Sequence, residues 1–304
     1  MPRSAGDPTT VTLDAIARPS GGFAMVAMDQ RESLRTMFDA AGVPRTDDSV
    51  VDFKVAVARE LGPLASGFLI DRGPAFERVR GSVLSSSTGL VLATDSLVQD
   101  VGGPVEETGL DDVVLGSGFD LRGVAALKLL LIWRRDSRRQ DRVELAQRFV
   151  AEARRRGVLS VLEPVARPAA EEDTATWDLD DAIVEAAHEL SGLGADLYKA
   201  QVPQAGRGPL TTLDAACERL GAVVRGPWVV LSQGVDPGDF ERAVGAACRG
   251  GASGFLAGRA LWSDVVGSAD VDAALRAVAV PRLRRLIEVV DAEARPWRQA
   301  WASS

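Results

Sequence analysis

Eight short apolar runs, most ending at a polar residue or a proline and nearly all separated by helical patterns, restrict what this chain can fold into. They fall at residues 23–28, 66–70, 89–93, 126–133, 158–164, 195–202, 227–231 and 254–257. Continuous rather than alternating apolarity describes strands covered on both faces, the condition of a parallel sheet. The segments between them carry apolar residues three and four apart, as in Leu34, Met37, Phe38 and Ala41, which is the spacing of an amphipathic helix. Eight such units fit a closed (β/α)8 TIM barrel, an α/β fold, better than an open doubly wound sheet. No glycine-rich dinucleotide fingerprint follows the first run.

This reading makes residues 21–294 one barrel domain, preceded by a flexible segment at 1–20 and followed by a tail at 295–304. Within the first segment, residues 11–17 are apolar enough for a lid-like helix or turn. Asp47, Asp48 and Ser49 are expected to cap a helix that carries Lys54, a lysine with no assigned role. The stretch 96–120 is rich in Gly, Asp and Glu, with a short extra strand expected at 113–115.

Charge and composition exclude several functions. The 35 Lys+Arg stand against 43 Asp+Glu, a formal charge of −8 with no sustained basic stretch, so neither nucleic acid nor an acidic membrane is an expected partner. The arginine clusters at 134–139 and 154–156 read as solvated faces. Cys217 and Cys248 have neither metal-ligand spacing nor a disulfide framework. No run approaches a membrane span and the N-terminus lacks a signal-peptide core, so a cytoplasmic location is expected. With His188 as the single histidine, a catalytic triad together with separate histidine acid–base work is excluded, as is a multi-histidine zinc site. No metal and no cofactor are expected.

What remains is lysine and carboxylate chemistry. Only Lys54, Lys128 and Lys199 among the 35 basic residues are lysines; the rest are arginines. Where a generic positive charge suffices this chain uses arginine, so a lysine in an apolar strand suggests a deprotonatable amine. Lys199 sits in such a strand. A buried ammonium escapes its desolvation cost by an ion pair or by losing its proton, and a neutral amine there attacks carbonyl carbon to form a Schiff base. The bland alternative is a lysine that snorkels to solvent or pairs with a carboxylate.

In a barrel the C-terminal strand ends share one mouth, which gathers Asp29, Gln30, Arg31, Asp71, Lys128, Glu163, Lys199, Ser232, Gln233, Gly234, Gly258 and Arg259. Each has an ordinary reading, as helix cap, turn former or surface ion pair. Together they describe metal-free aldol cleavage of a phosphorylated ketose. Lys199 would form the iminium and Glu163 would move protons. Lys128 would either lower the Lys199 pKa by like-charge repulsion or pair with a carboxylate such as Glu163 or Asp71. The turns 232–234 and 258–259 would meet a phosphate.

The stretches at 18–25, 28–32, 126–130, 162–165, 194–199 and 251–260, the last being Gly-Ala-Ser-Gly-Phe-Leu-Ala-Gly-Arg-Ala, resemble the class I aldolases of the tagatose 1,6-bisphosphate aldolase family, in order and over residues 16–291. Within it the likeness is greatest to the sulfofructosephosphate branch. The resemblance implies a (β/α)8 barrel and a Schiff-base lysine at Lys199. It also implies proton transfer by Glu163, Lys128 with Asp29 and Gln30 in the pocket, and Ser232, Gly234, Gly258 and Arg259 at an anionic end of the substrate. The implied reaction cleaves 6-deoxy-6-sulfofructose 1-phosphate to dihydroxyacetone phosphate and sulfolactaldehyde. Tagatose or fructose 1,6-bisphosphate, or another ketose phosphate, is the alternative substrate, and a non-catalytic sugar-phosphate sensor the alternative of another class. Two positions depart from the family: Gln201, where an acid is usual, and Gln233, where a second serine is usual. The expected partner is a small-molecule ketose phosphate. A homo-oligomer is expected, with Trp262, Trp297 and Trp301 either at its interface or covering the barrel.

Overall fold

The structure, a computed structural model, describes residues 11–100 and 103–302. The strands are β1 (Phe23–Met28), β2 (Gly67–Ile70), β3 (Gly89–Ala93), β4 (Asp95–Gln99), β5 (Val105–Leu110), β6 (Val124–Trp133), β7 (Leu159–Ala166), β8 (Leu197–Ala200), β9 (Trp228–Val230) and β10 (Gly254–Ala257). Eight of them close a parallel barrel in the order β1-β10-β9-β8-β7-β6-β3-β2, and β4 pairs antiparallel with β5 beside it. The helices are α1 (Glu32–Ala40), α2 (Asp47–Leu61), α3 (Pro74–Arg78), α4 (Arg139–Arg155), α5 (Leu179–Leu190), α6 (Leu210–Gly221), α7 (Phe240–Arg249), α8 (Arg259–Trp262), α9 (Val271–Ala274), α10 (Val280–Glu293) and α11 (Trp297–Ala302). No helix among the described residues is long and apolar enough to cross a membrane.

The period-two alternation of a strand divides the core in two. On β1, Ala24, Val26 and Met28 face outward into the large cluster shared with the helices. Phe23, Met25 and Ala27 face inward, where they meet Leu69, Val91, Ala126, Leu159, Val161, Leu197, Val229 and Leu256. The barrel interior is therefore filled, and a cavity can open only above it.

Several expectations are corrected. Residues 11–17 form no lid over the mouth. A 3-10 turn, Leu13–Ile16, carries Leu13 and Ile16 into the inward cluster at the opposite end, under the strand starts, with Trp297 and Trp301 packed against it. The approach is so close that a Cβ on Gly89, the first residue of β3, would lie 2.1 Å from the Ala15 carbonyl oxygen. Helix α11 is held there by Arg298, whose Nη1 donates to Asp14 at 2.8 Å, and by the Trp297 amide, which donates to Gly21 O at 3.0 Å. Trp262 is buried within its own chain and donates Nε1 to Ala27 O at 3.1 Å. Residues 1–10 of the segment read as flexible lie outside the described residues.

The extra strand is not at 113–115, which is a turn. The β4–β5 pair forms instead, from two mostly polar segments, 95–99 and 105–110, that carry no apolar run by which to read them. The cap of α2 is Thr46, whose Oγ1 accepts from the Ser49 amide at 3.1 Å. Strand β7 does not stop at Pro164 but runs to Ala166. Its ladder with β8 ends at Leu162, whereas that with β6 continues to Ala166, so a residue lacking an N–H is tolerated in the one-sided part. The arginines at 134–139 are paired rather than merely solvated: Arg135 with Glu172 and Glu185, Arg139 with Glu185 and Glu189.

Candidate active site

Above the apolar filling, the next inward positions of the strands are charged. Lys128 on β6 is opposite Val161, and Glu163 on β7 opposite Leu130; Lys199 on β8 comes next in the ring. Lys199 Nζ lies 2.8 Å from Glu163 Oε1, and Lys128 Nζ lies 2.8 Å from Glu163 Oε2. Lys128 Nζ also donates to Asp29 Oδ2 at 2.9 Å and to Asp95 Oδ2 at 3.0 Å. Arg31 completes the set at 3.1 Å from Asp95 Oδ1. Three carboxylates thus face three cations, nearly all of them out of contact with water. Pairing is obligatory in such a place, since an uncompensated buried charge costs several kcal/mol.

Burial alone would raise the Asp29 carboxyl, but the fields of Lys128, Lys199 and Arg31 outweigh it and hold Asp29 well below the usual carboxylate range. Burial likewise opposes the Lys128 ammonium, and Asp29, Asp95 and Glu163 together raise its pKa well above the ordinary lysine value. Lys128 therefore does not act on Lys199 as a bare like charge, because three carboxylates neutralise it. Of the two pairings first open to Lys128, the structure shows Glu163 and not Asp71. Of the two escapes open to Lys199, it shows the ion pair.

These groups line a cavity of about 380 Å³ at the mouth of the barrel, within the range of small-ligand pockets. Asp29, Gln30, Arg31, Lys128, Glu163, Lys199, Ser232, Gln233, Gly258 and Arg259 all border it. Two expected members do not. Asp71 is turned to the buried Lys54, with which it pairs, and Gly234 is exposed on the turn. Lys54, first given no role, thus holds one oxygen of this carboxylate, while the other, Asp71 Oδ2, lies 3.9 Å from Arg31 Nε at the edge of the site.

Gly258 has a steric reason. A Cβ there would sit 2.7 Å from Ala27 O and 2.8 Å from Gln30 Nε2, so only glycine lets β10 close against β1 at this level. Its amide donates to Ser232 Oγ at 3.3 Å, which ties the ends of β9 and β10 together. Gln30 Oε1 is buried without a donor among the described residues, an acceptor open to a ligand hydroxyl. The guanidinium of Arg259 borders the cavity with no carboxylate paired to it among the described residues. Burial lowers its pKa from the usual arginine value, against the pull of Asp29 and Glu163.

Sequence reasoning missed Asp95 and Arg167, both cavity-lining. Asp95 follows β3 as Asp29 and Asp71 follow β1 and β2, a recurrence that could have found it. Arg167 was hidden by ending β7 at Pro164. Gln201, one of the departures, accepts from the Ala166 amide through Oε1 at 2.6 Å and so ties the end of β8 to that of β7. Among the described residues no group of three or more His, Cys, Asp or Glu is placed to hold a metal. Asp29, Asp95 and Glu163 converge on an ammonium instead.

A family profile described as "DeoC/LacD family aldolase" matches residues 23–264, which contain every residue of this site. Among curated proteins, a tagatose 1,6-diphosphate aldolase of Listeria monocytogenes is 27% identical over 322 residues, covering 96% of this chain and 94% of the relative. Tagatose 1,6-diphosphate aldolase 1 of Enterococcus faecalis is 26% identical over 275 residues, with 84% of each chain covered. Among solved structures, fructose-bisphosphate aldolase from Plasmodium falciparum superposes with a TM-score of 0.71 at 14% identity, over 97% of this chain and 98% of that one. A structure of a Schiff-base-forming fructose-1,6-bisphosphate aldolase superposes with a TM-score of 0.57 at 18% identity, covering 88% and 97%.

Proposed function

Since the chain belongs to the DeoC/LacD family of aldolases and is a carbon–carbon lyase, we propose that it works by a Schiff base on Lys199 and cleaves a phosphorylated ketose to dihydroxyacetone phosphate and an aldehyde. The observation that carries this reading is the contact of Lys199 Nζ with Glu163 Oε1 at 2.8 Å, at the cavity surface. Glu163 takes the proton from the ammonium, and the neutral amine adds to the ketose C2 carbonyl. Glu163 returns the proton as the carbinolamine loses water, leaving an iminium. Breaking the C3–C4 bond sends its electron pair into the iminium to give an enamine, while the C4 hydroxyl loses its proton to Glu163 and the aldehyde departs. Protonation of the enamine at C3 and addition of water release dihydroxyacetone phosphate and restore the amine. Lys128, held by Asp29 and Asp95, keeps Glu163 oriented through its second oxygen. Arg259, with Ser232 and Gly258 beside it, receives the phosphate, and Gln30 Oε1 accepts from a sugar hydroxyl.

Tagatose 1,6-bisphosphate stands first as substrate, supported by the tagatose 1,6-diphosphate aldolases among the relatives. One observation favours 6-deoxy-6-sulfofructose 1-phosphate as a second reading. The cavity wall formed by Ile132, Val165 and Leu231 is apolar, and it suits a singly charged sulfonate better than a doubly charged phosphate. Cleavage of both ketoses by the wild-type chain and by Lys199→Met tests the proposal. Loss of roughly 10⁴-fold or more in the variant is expected. Undiminished turnover would end the Schiff-base reading.

A further inference from the structure

Three arginines border the cavity, Arg31, Arg167 and Arg259. Arg31 is paired with Asp95. Arg167 is not paired with any carboxylate among the described residues, in a part of the molecule where its neighbours Arg134, Arg135, Arg139 and Arg142 all are. The nearby Glu106 is already taken by Arg134. Arg167 Nε is buried and meets no acceptor among the described residues, a donor left open beside the cavity.

The backbone around it is fixed. The Arg167 amide donates to Trp133 O at 2.9 Å on the β6 side, and the preceding amide, Ala166, donates to Gln201 on the β8 side. Gln201 does this as a neutral amide, so the tie adds no negative charge next to the guanidinium. Beside it lies the apolar wall of Ile132, Val165 and Leu231, where an ionic contact is stronger than in water.

Ring order gives the arrangement its meaning. Arg167 follows the end of β7 and Arg259 that of β10, three steps apart in a ring of eight and so almost across the mouth from each other. Lys199 on β8 lies between them. The carboxylates and cations of the charged layer balance, leaving these two guanidinium groups as unmatched charges at opposite rims.

We propose that Arg167 is the anchor for a second anion, a tetrahedral oxyanion (phosphate or sulfonate) on the carbon of the ketose farthest from the Arg259 end. This deepens the aldolase reading above and rests on it. A planar guanidinium fork presents paired donors to such a group. The residue thus determines specificity, selecting ketoses charged at both ends over those charged at one.

The experiment compares kcat/KM of wild type and Arg167→Gln on tagatose 1,6-bisphosphate, 6-deoxy-6-sulfofructose 1-phosphate and fructose 1-phosphate, which lacks the distal anion. Borohydride trapping with dihydroxyacetone phosphate alone reports whether the Lys199 end is assembled. The expected result is a fall of roughly thirty-fold or more in the preference for the doubly charged ketose, mainly through KM, in a variant that still traps. The ketose that wild type prefers tells phosphate from sulfonate, and Arg167→Lys should recover part of the preference. An unaltered preference overturns the proposal. So does equal loss on all three ketoses together with loss of trapping, which would make Arg167 part of the frame. If wild type itself traps nothing, the parent reading fails and this one falls with it.

Discussion

The two ends of the barrel are built from the same strands and the same alternation, yet they are held by different forces. At the base, Leu13 and Ile16 close an apolar stack of inward side chains beginning with Phe23 and Leu159. At the mouth, the same inward register presents Asp29, Asp95, Lys128, Glu163 and Lys199. An apolar plug tolerates exchange of one hydrocarbon for another of similar volume. A buried charge layer tolerates no single removal, because each group is the partner that permits another to be there. The proposed chemistry is therefore concentrated where the fold is least forgiving, and the base is left to carry stability.

That contrast can be broken most decisively at Glu163. Glu163→Gln keeps the shape but removes the proposed proton carrier, and cleavage should fall by roughly 10²- to 10⁴-fold; a rate within a few-fold of wild type would remove Glu163 from proton transfer. Next comes a pair of variants, one at each end. Lys128→Met removes the cation shared by Asp29, Asp95 and Glu163 and should cost about 3–5 kcal/mol of unfolding free energy along with activity. Ile16→Ala should cost about 2–5 kcal/mol in the same urea titration, while the folded fraction keeps its turnover number. Equal catalytic damage from both would erase the distinction between the ends.

The smallest effect is the pH dependence of stability. Asp29 has a depressed pKa in the folded state, so its contribution is present above the ordinary carboxylate value of about 3.9 and is lost as pH falls from there through the folded value. Lys128 has a raised one, so its contribution is complete below about 10.4 and is lost as pH rises through the folded value. The melting temperature should accordingly decline at both extremes. Asp29→Asn should flatten the acid limb, and an unchanged acid slope would separate Asp29 from the charged layer.

How much of this was legible in the sequence follows the same division. The eight barrel strands could be read because each is a continuous apolar run, and Lys199, Glu163, Lys128 and Asp29 because charge at the end of such a run is conspicuous. The scarcity of lysine picked out buried positions: Lys54, Lys128 and Lys199 are all buried and all paired with carboxylates. Less legible were features that depend on which residue meets which across the fold. The diversion of Asp71 to Lys54 depends on how α2 packs on the barrel. The basal position of 11–17 depends on where the chain enters, which an apolar segment does not reveal. Arg167 was obscured by a proline that normally ends a strand and here lies in a half-paired ladder.

The central claim is that the Lys199 amine bonds to the substrate ketone, and trapping that bond tests it most directly. The wild-type chain is incubated with dihydroxyacetone phosphate and borohydride, digested, and its peptides weighed. The account requires the added mass of the reduced adduct on the peptide containing Lys199, together with loss of activity. An unmodified Lys199 peptide in a chain that cleaves ketose phosphates, or the adduct on Lys128 or Lys54 instead, would contradict it.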